Sequence, residues 1–522
     1  MEKTLWKRYQ ETICVCEDID MSLDISRMKY TDTFMEGMRE KMQTAFADMD
    51  VLMDGAIMNK DENRMVGHYW LRAPELAPNE SIRNDIVTMQ KEVKAFASDV
   101  HSHRIMAPNG EPYTDLLVIG IGGSALGPQW VSDALSDPKH DVLRVHFMDN
   151  TDPEGIANTL ERLSSPSTTL VVVISKSGST PETRNGMLSA QKFFTDAGLS
   201  FAPRAVAITG TGSKLYNTAN EEGWLKTFPM WDWVGGRTSE LSAVGLLPAA
   251  LQGIDIDAML SGAAACDVYT NKREVKQNPA ALMALMWYYA TNGKGEKDLV
   301  VLPYKDRLLL FSRYLQQLIM ESLGKRYDLD GKEVFQGLTV YGNKGSTDQH
   351  AYVQQLRDGI ANYFATFIDV LEYGADPVEV DKDTTPGDYL HGFLQGTRSA
   401  TYESGRESMT ITVKRIDART IGTLIALFER TVGLYASLIH INAYHQPGVE
   451  AGKKAAARIL DLQRRALDAL RSNVRGSAEK LASHLDTDDI ETLYRILTYL
   501  HANGRIHSSS EKTYDFEREF FM

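Results

Sequence analysis

The stretch TLVVVISKSGSTPET, Thr169–Thr183, decides the fold. Its first six residues are apolar or β-branched with no polar alternation, the pattern of a strand covered on both faces of a parallel sheet. Four hydroxyl side chains follow within six positions, Ser175, Ser177, Ser179 and Thr180. Pro181 and Glu182 then open a helix, because proline fits the first helical position and an acid favours the first turn.

The same texture extends outward. Asp115–Ile121 (DLLVIGI), Val142–Met148 (VLRVHFM) and Ala205–Ile208 (AVAI) are short apolar runs with helix-compatible stretches between them. Strands alternating with helices predict a doubly wound parallel sheet over residues 111–290. Lys297–Pro303 (KDLVVLP) opens a second such domain over 291–455, with a helix at Leu308–Arg326, strands at Gly337–Tyr341 and Met409–Val413, and a long helix at Thr420–His440. Residues 1–110 read as a helical extension, from the stripe Phe34, Met38, Met42, Phe46, broken by a turn at Ala73–Asn79. Residues 456–522 read as a helical C-terminal extension packing on the domains. The fold class is thus α/β, two doubly wound parallel-sheet domains with helical ends.

Composition narrows the function. The chain has 522 residues, 56 Lys+Arg against 70 Asp+Glu, and a net charge of −14. Such an acidic balance argues against nucleic-acid binding, which needs a basic face. An anionic ligand must therefore be held by local geometry. No run approaches 18 uncharged apolar residues, and Met1–Arg8 leads into no apolar signal core, so neither a membrane nor a secretory route is expected. Cys14, Cys16 and Cys266 read as free thiols of a cytoplasmic protein. The spacing Cys14-Val15-Cys16 suits neither a zinc site nor a redox pair, so no metal and no cofactor are expected.

Two loops carry the ligand signal. Gly120-Ile121-Gly122-Gly123-Ser124-Ala125 follows a strand, opens a helix and matches G-x-G-x-x-A, with Asp149 as a candidate ribose acid. Taken alone it fits a dinucleotide, another phosphate or a tight turn. The Ser175–Thr183 loop is either a hydroxyl-rich cap or a nest for a terminal phosphate. Two such loops after successive strand–helix units point to a phosphomonoester at the carboxyl edge of the sheet.

Four further segments combine reactive side chains with glycines or helix starts. Arg237 follows Gly235-Gly236, which reads as an aimed cation or a surface turn. Gln317, Glu321 and Lys325 share one helix face, where Glu and Lys four residues apart are also an ordinary solvated pair. Ser346–His350 reads as a cap with a histidine in the first turn, where a helix end favours a neutral imidazole. Gln446-Pro447-Gly448-Val449-Glu450 opens a helix that carries Lys453 in its second turn.

Taken in this order, Gly120–Pro128, Ser175–Thr183, Gly235–Gly245, Met320–Lys325, Gly345–His350 and Gln446–Lys453 closely resemble the glucose-6-phosphate isomerase (phosphoglucose isomerase) family from about residue 115 to 455. The resemblance implies paired sugar-isomerase domains, a homodimer, and interconversion of glucose 6-phosphate and fructose 6-phosphate through a cis-enediol without metal or nucleotide. It also implies roles. Glu321 would be the base that moves a proton between C2 and C1, with its pKa raised by burial beside the sugar. Arg237 would stabilise the enediolate. His350, supplied by the neighbouring subunit, and Lys453 would open the ring. Ser175, Ser177, Thr180 and Thr183 would hold the phosphate, and Gly123, Ser124, Gln317 and Gln446 would contact substrate. The departures are His445 where Asp is common, Thr238 for an aromatic, and Leu323 where Asn is frequent. A dual-specificity isomerase that also accepts mannose 6-phosphate uses the same proton transfer. A non-enzymatic sugar-phosphate sensor needs only the two loops, and a dehydrogenase needs only Gly120–Ala125 and Asp149.

Overall fold

The computed structural model describes residues 2–522, apart from the side chains of Glu2, Lys3, Val449, Glu450, Ala451, Lys453 and Lys454. It comprises two compact units, Met1–His445 and Gln446–Met522.

The first unit begins with the helix Glu2–Thr12, after which strands β1 (Cys14–Cys16) and β2 (Met21–Arg27) depart from the wholly helical N-terminus expected. Their shortness hides them from periodicity, but Met21, Leu23 and Ile25 alternate along β2 and are buried. Helices Arg39–Met53 and Glu80–His101 follow. The first sheet then forms from β3 (Asp115–Ile119), β4 (Arg144–Met148), β5 (Thr169–Ile174), β6 (Ala205–Thr209) and β7 (Lys226–Pro229), all parallel in the order β4-β3-β5-β6-β7. The chain steps from β3 to β4 on one side and returns to β5 on the other. The loops after β3 and β5 therefore flank the crevice at the carboxyl ends of the strands, where α/β sheets bind ligands.

The second sheet contains β8 (Asp298–Pro303). A hairpin of β9 (Lys325–Tyr327) and β10 (Glu333–Gln336) stands apart from it. The sheet is completed by β11 (Val340–Tyr341), β12 (Tyr363–Val370) and β13 (Ser408–Val413), in the order β1-β2-β13-β12-β8-β11. β11, β8, β12 and β13 are parallel, whereas β2 joins β13 antiparallel and β1 joins β2. Residues 14–27 thus extend the second sheet. β12, the best-paired strand of this sheet, had no counterpart among the strands expected.

A further expectation changes. The helix over Leu308–Arg326 is an α-helix only at Phe311–Leu315 and becomes a π-helix at Gln316–Glu321. In addition, helix Ala418–Leu438 is long and apolar enough to cross a membrane, yet its residues are buried within this unit. It packs on Ile256–Thr270 so closely that a Cβ at Gly262 would lie 1.9 Å from the Arg419 carbonyl, and one at Gly422 would lie 1.9 Å from that of Met259. Only glycine permits such helix contact. Beside it, Arg72 bridges Asp267 at 2.7 Å and Glu429 at 2.5 Å, and Arg430 reaches Asp267 at 3.1 Å. Those two guanidiniums hold the buried Asp267 carboxyl down to about 2.

The second unit consists of helices Pro447–Arg471, Ala478–His484 and Ile490–Ala502 around Leu467, Leu470, Leu481, Leu493, Leu497 and Phe520. A two-residue ladder of β14 (His507–Ser508) and β15 (Phe520–Phe521) completes it.

Candidate active site

The loop after β5 is organised by its own hydroxyls. The Gly178 N–H donates to Ser175 Oγ at 3.1 Å, the Ser179 N–H donates to Ser177 Oγ at 3.2 Å, and Ser175 Oγ lies 3.4 Å from Thr180 Oγ1. Pro181 starts the helix Pro181–Asp196, with Thr183 buried in its first turn and Ser177 exposed above it. The first N–H groups of that helix have no intrahelical acceptor, so loop and helix end together present donors to an anion. Lys176 points away from this face. Its Nζ donates to the carbonyls of Asp232 and Val234 at 3.2 Å each and lies 3.3 Å from the Asp232 carboxylate. This lysine, which the sequence reading passed over, fixes the loop to the segment leading into Arg237.

The loop after β3 is a 3-10 turn, Gly122–Ser124. A Cβ at Gly123 would lie 2.0 Å from the Gly236 carbonyl oxygen, so this turn and the Gly235-Gly236-Arg237 turn touch backbone to backbone. Gln317 approaches the same turn, since its Nε2 would stand 3.1 Å from a Cβ at Gly122. Asp149, the acid a dinucleotide ribose would need, accepts a hydrogen bond from Gln129 at 2.8 Å.

Behind these loops stands the charged pair. Arg237 is 7% exposed, and its Nη2 donates to the carbonyls of Ala443 at 2.8 Å and His445 at 3.0 Å. Its Nη1 lies 3.3 Å from Glu321 Oε2, an oxygen with no hydrogen-bond partner among the described residues. Burial pulls the Arg237 guanidinium below its ordinary value, and the Glu321 carboxylate opposes the pull. The π-turn that carries Glu321 widens the helix by one residue per turn, a device frequent at functional sites. Lys325, buried at 4% exposure, donates from Nζ to the Glu321 carbonyl at 2.6 Å. Burial and the Arg237 charge bring its pKa down to about 7. A charge recurring among Leu315, Leu318, Ile319 and Leu323, all buried, was the signal that this lysine is not a solvated partner. A carboxylate also stands beside His445. Asp61 Oδ2 lies 3.8 Å from His445 Nε2 and accepts from Asn442 Nδ2 at 2.6 Å.

Of the remaining candidates, His350 is not gathered here. Ser346 makes no capping side-chain bond, and Thr347–His350 is a single 3-10 turn whose last residue, His350, is exposed. The cap expected there is absent, and with no helix N-terminus at His350 the electrostatic argument for that residue falls away. Asp348 occupies the turn instead, accepting from the Asn343 N–H at 2.9 Å and the Tyr352 hydroxyl at 2.5 Å. Gln446 is exposed at the N-cap of Pro447–Arg471 in the second unit. The Lys453 side chain lies outside the described residues. Among the described residues no three His, Cys, Asp or Glu side chains are arranged to hold a metal.

The family model described as phosphoglucose isomerase matches residues 24–368 and 357–479. A glucose-6-phosphate isomerase of Trichormus variabilis is 59% identical over 508 residues, 96% of each chain. One from Geotalea daltonii is 57% identical over 523 residues, 99% of this chain and 98% of that protein. Among solved structures, a glucose-6-phosphate isomerase from Chlamydia trachomatis superposes with a TM-score of 0.78 at 25% identity, covering 87% of this chain and 90% of that one. With matches that span both sheets and both loops described above, the chain belongs to the phosphoglucose isomerase family.

Proposed function

We propose that this chain is a glucose-6-phosphate isomerase that interconverts glucose 6-phosphate and fructose 6-phosphate by proton transfer through a cis-enediol. The observation that carries the chemistry is the Arg237 Nη1 to Glu321 Oε2 contact of 3.3 Å in a largely buried pocket. From the open-chain aldose, Glu321 removes the C2 proton, and the C–H electrons become the C1–C2 double bond. Charge develops on oxygen, where the guanidinium meets it. Glu321 then returns the proton to C1, while the hydroxyl proton passes from O2 to O1 and O2 becomes the carbonyl. Hydrogen moves within one molecule, so the balance needs no outside oxidant or reductant. The Ser175–Thr183 loop, with Gly123, Ser124 and Gln317 at the neighbouring turn, holds the phosphate end and the sugar hydroxyls. Gln446 contacts the same substrate, and Lys453 with His350 opens the ring.

The working form is a homodimer in which each subunit receives His350 from its partner. Exposure of His350 on a turn apart from the Arg237–Glu321 pair supports this arrangement. The three cysteines are free and buried, which supports a cytoplasmic location.

One experiment tests both statements. Fructose 6-phosphate turnover is followed in a coupled assay with EDTA present. Glu321→Gln lowers kcat by roughly 10³-fold or more while substrate still protects against thermal unfolding. His350→Gln is likewise impaired. Mixing the two variants after dissociation restores activity, because one site of each mixed dimer then has Glu321 and His350 both intact. Wild-type turnover in Glu321→Gln would remove the base, and failed complementation would remove the shared site. Mannose 6-phosphate in the same assay defines the sugar range.

A further inference from the structure

Lys325 is buried in the pocket, yet the proton transfer described above gives it no part. It follows the Phe311–Glu321 helical run, four residues past Glu321 and directly after Gly324. There the N–H of Gly324 still reaches the Met320 carbonyl at 2.8 Å, the last bond of helical spacing. The Glu321 carbonyl takes its donor from a side chain, Lys325 Nζ at 2.6 Å. Helix ends leave carbonyls without intrahelical partners, and a lysine reaching back to one is a known form of C-cap. Here the carbonyl belongs to the same residue whose carboxylate lies 3.3 Å from Arg237.

We propose that Lys325 is a positioning residue for proton transfer: by closing the π-turn on the Glu321 carbonyl, it fixes where the Glu321 carboxylate stands. This rests on Glu321 being the base. A carboxylate on an open π-turn can swing by about an ångström, enough to cost roughly 10²-fold in rate. The lysine is tied to this place by its surroundings. Arg237 from the Gly236–Thr238 turn, Asp61 from the Lys60–Glu62 turn, His445 and Glu321 itself are the charged and titratable groups that act on it or respond to it. Arg237 and burial work against its charge, and Glu321 and Asp61 work for it.

The test measures Lys325→Met, Lys325→Gln and Lys325→Arg from about pH 5.5 to 9 in the isomerase assay. Lys325→Met is expected to lose about tenfold or more in kcat, with KM for fructose 6-phosphate within about threefold of wild type. Lys325→Gln and Lys325→Arg each keep a donor for the carbonyl, so both recover kcat. A merely structural cap would lower the melting temperature and leave kcat of the folded enzyme unchanged, and that outcome overturns the proposal. Should Lys325→Arg not fold, the Met and Gln pair still tests the donor. Glu321→Gln runs alongside. Its wild-type turnover would sink the base assignment, whereas its loss together with an unaffected Lys325→Met sinks only the role given to Lys325.

Discussion

At the carboxyl end of β5 the chain prepares for an anion with serine and threonine hydroxyls, backbone N–H groups and a helix start, in a loop where Ser177 and Ser179 are open to solvent. At the other end of the pocket, Arg237 and Lys325 are 7% and 4% exposed, and Glu321 stands between them. In the proposed reaction the loop would meet a permanent charge, with water sharing in the solvation. The buried pair would meet a charge that exists only during the reaction, and there a low dielectric makes each ionic contact count for more. On that reading, a protein with a net charge of −14 handles an anionic substrate by dividing the work. Neutral donors would bind the phosphate, and a few desolvated cations would serve the chemistry.

This division is broken most directly at Arg237. Arg237→Lys keeps the charge but loses the fork that spans the Ala443 and His445 carbonyls and Glu321. A fall in kcat of roughly 10²–10³-fold is expected, with KM changed far less, as measured by steady-state turnover of fructose 6-phosphate. If KM rises while kcat holds, Arg237 binds substrate in its ground state, and the two regions do the same job.

Ser175→Ala sharpens the comparison from the other side. It removes the Oγ that accepts the Gly178 N–H and approaches Thr180, so the nest loosens without losing its helix end. KM should rise by about tenfold and kcat should stay within about threefold. Inorganic phosphate should weaken as an inhibitor in the same proportion. An unchanged phosphate affinity would place the phosphate elsewhere.

The two regions also differed in how far the sequence revealed them. The hydroxyl loop was legible because one continuous segment carries it. An apolar run, clustered hydroxyls and a proline at a helix start are local signals, and β5 and its helix lie where those signals put them. The buried pair draws on residues 84 positions apart in sequence, Arg237 and Glu321, and no local pattern joins them. Only the ordered motifs of a family did so. The π-turn was invisible because the spacing of Gln317, Glu321 and Lys325 is that of an ordinary helix face. Lys176 was passed over, and Lys325 was left open as a solvated partner of Glu321, because a lysine near an acid usually faces water, whereas both are drawn inward onto backbone carbonyls. β1 and β2 escaped notice for another reason. A strand of three residues has no period to detect, and β2 gains its stability by pairing with β13, almost 400 positions away. The expectation for His350 failed at Ser346 because Asp348, not the serine, satisfies the turn.

The smallest effect bears on whether the pocket is truly drier than the loop. Burial holds Lys325 at about 7, against 10.5 for an ordinary lysine. Between those values the unfolded chain binds a proton that the folded chain does not, so stability from this group must rise with pH. Below about 7 both states are protonated, and the cost of burying the charge is constant. Subtracting the melting temperature of Lys325→Met from that of wild type cancels every other titrating group common to the two. The difference should be flat below neutrality and climb by on the order of 1–2 °C between about pH 7 and 9. A flat difference throughout would mean that water reaches Lys325 as freely as it reaches Ser177. The contrast between a solvated cradle and a desolvated reaction centre would then have to rest on Arg237 alone.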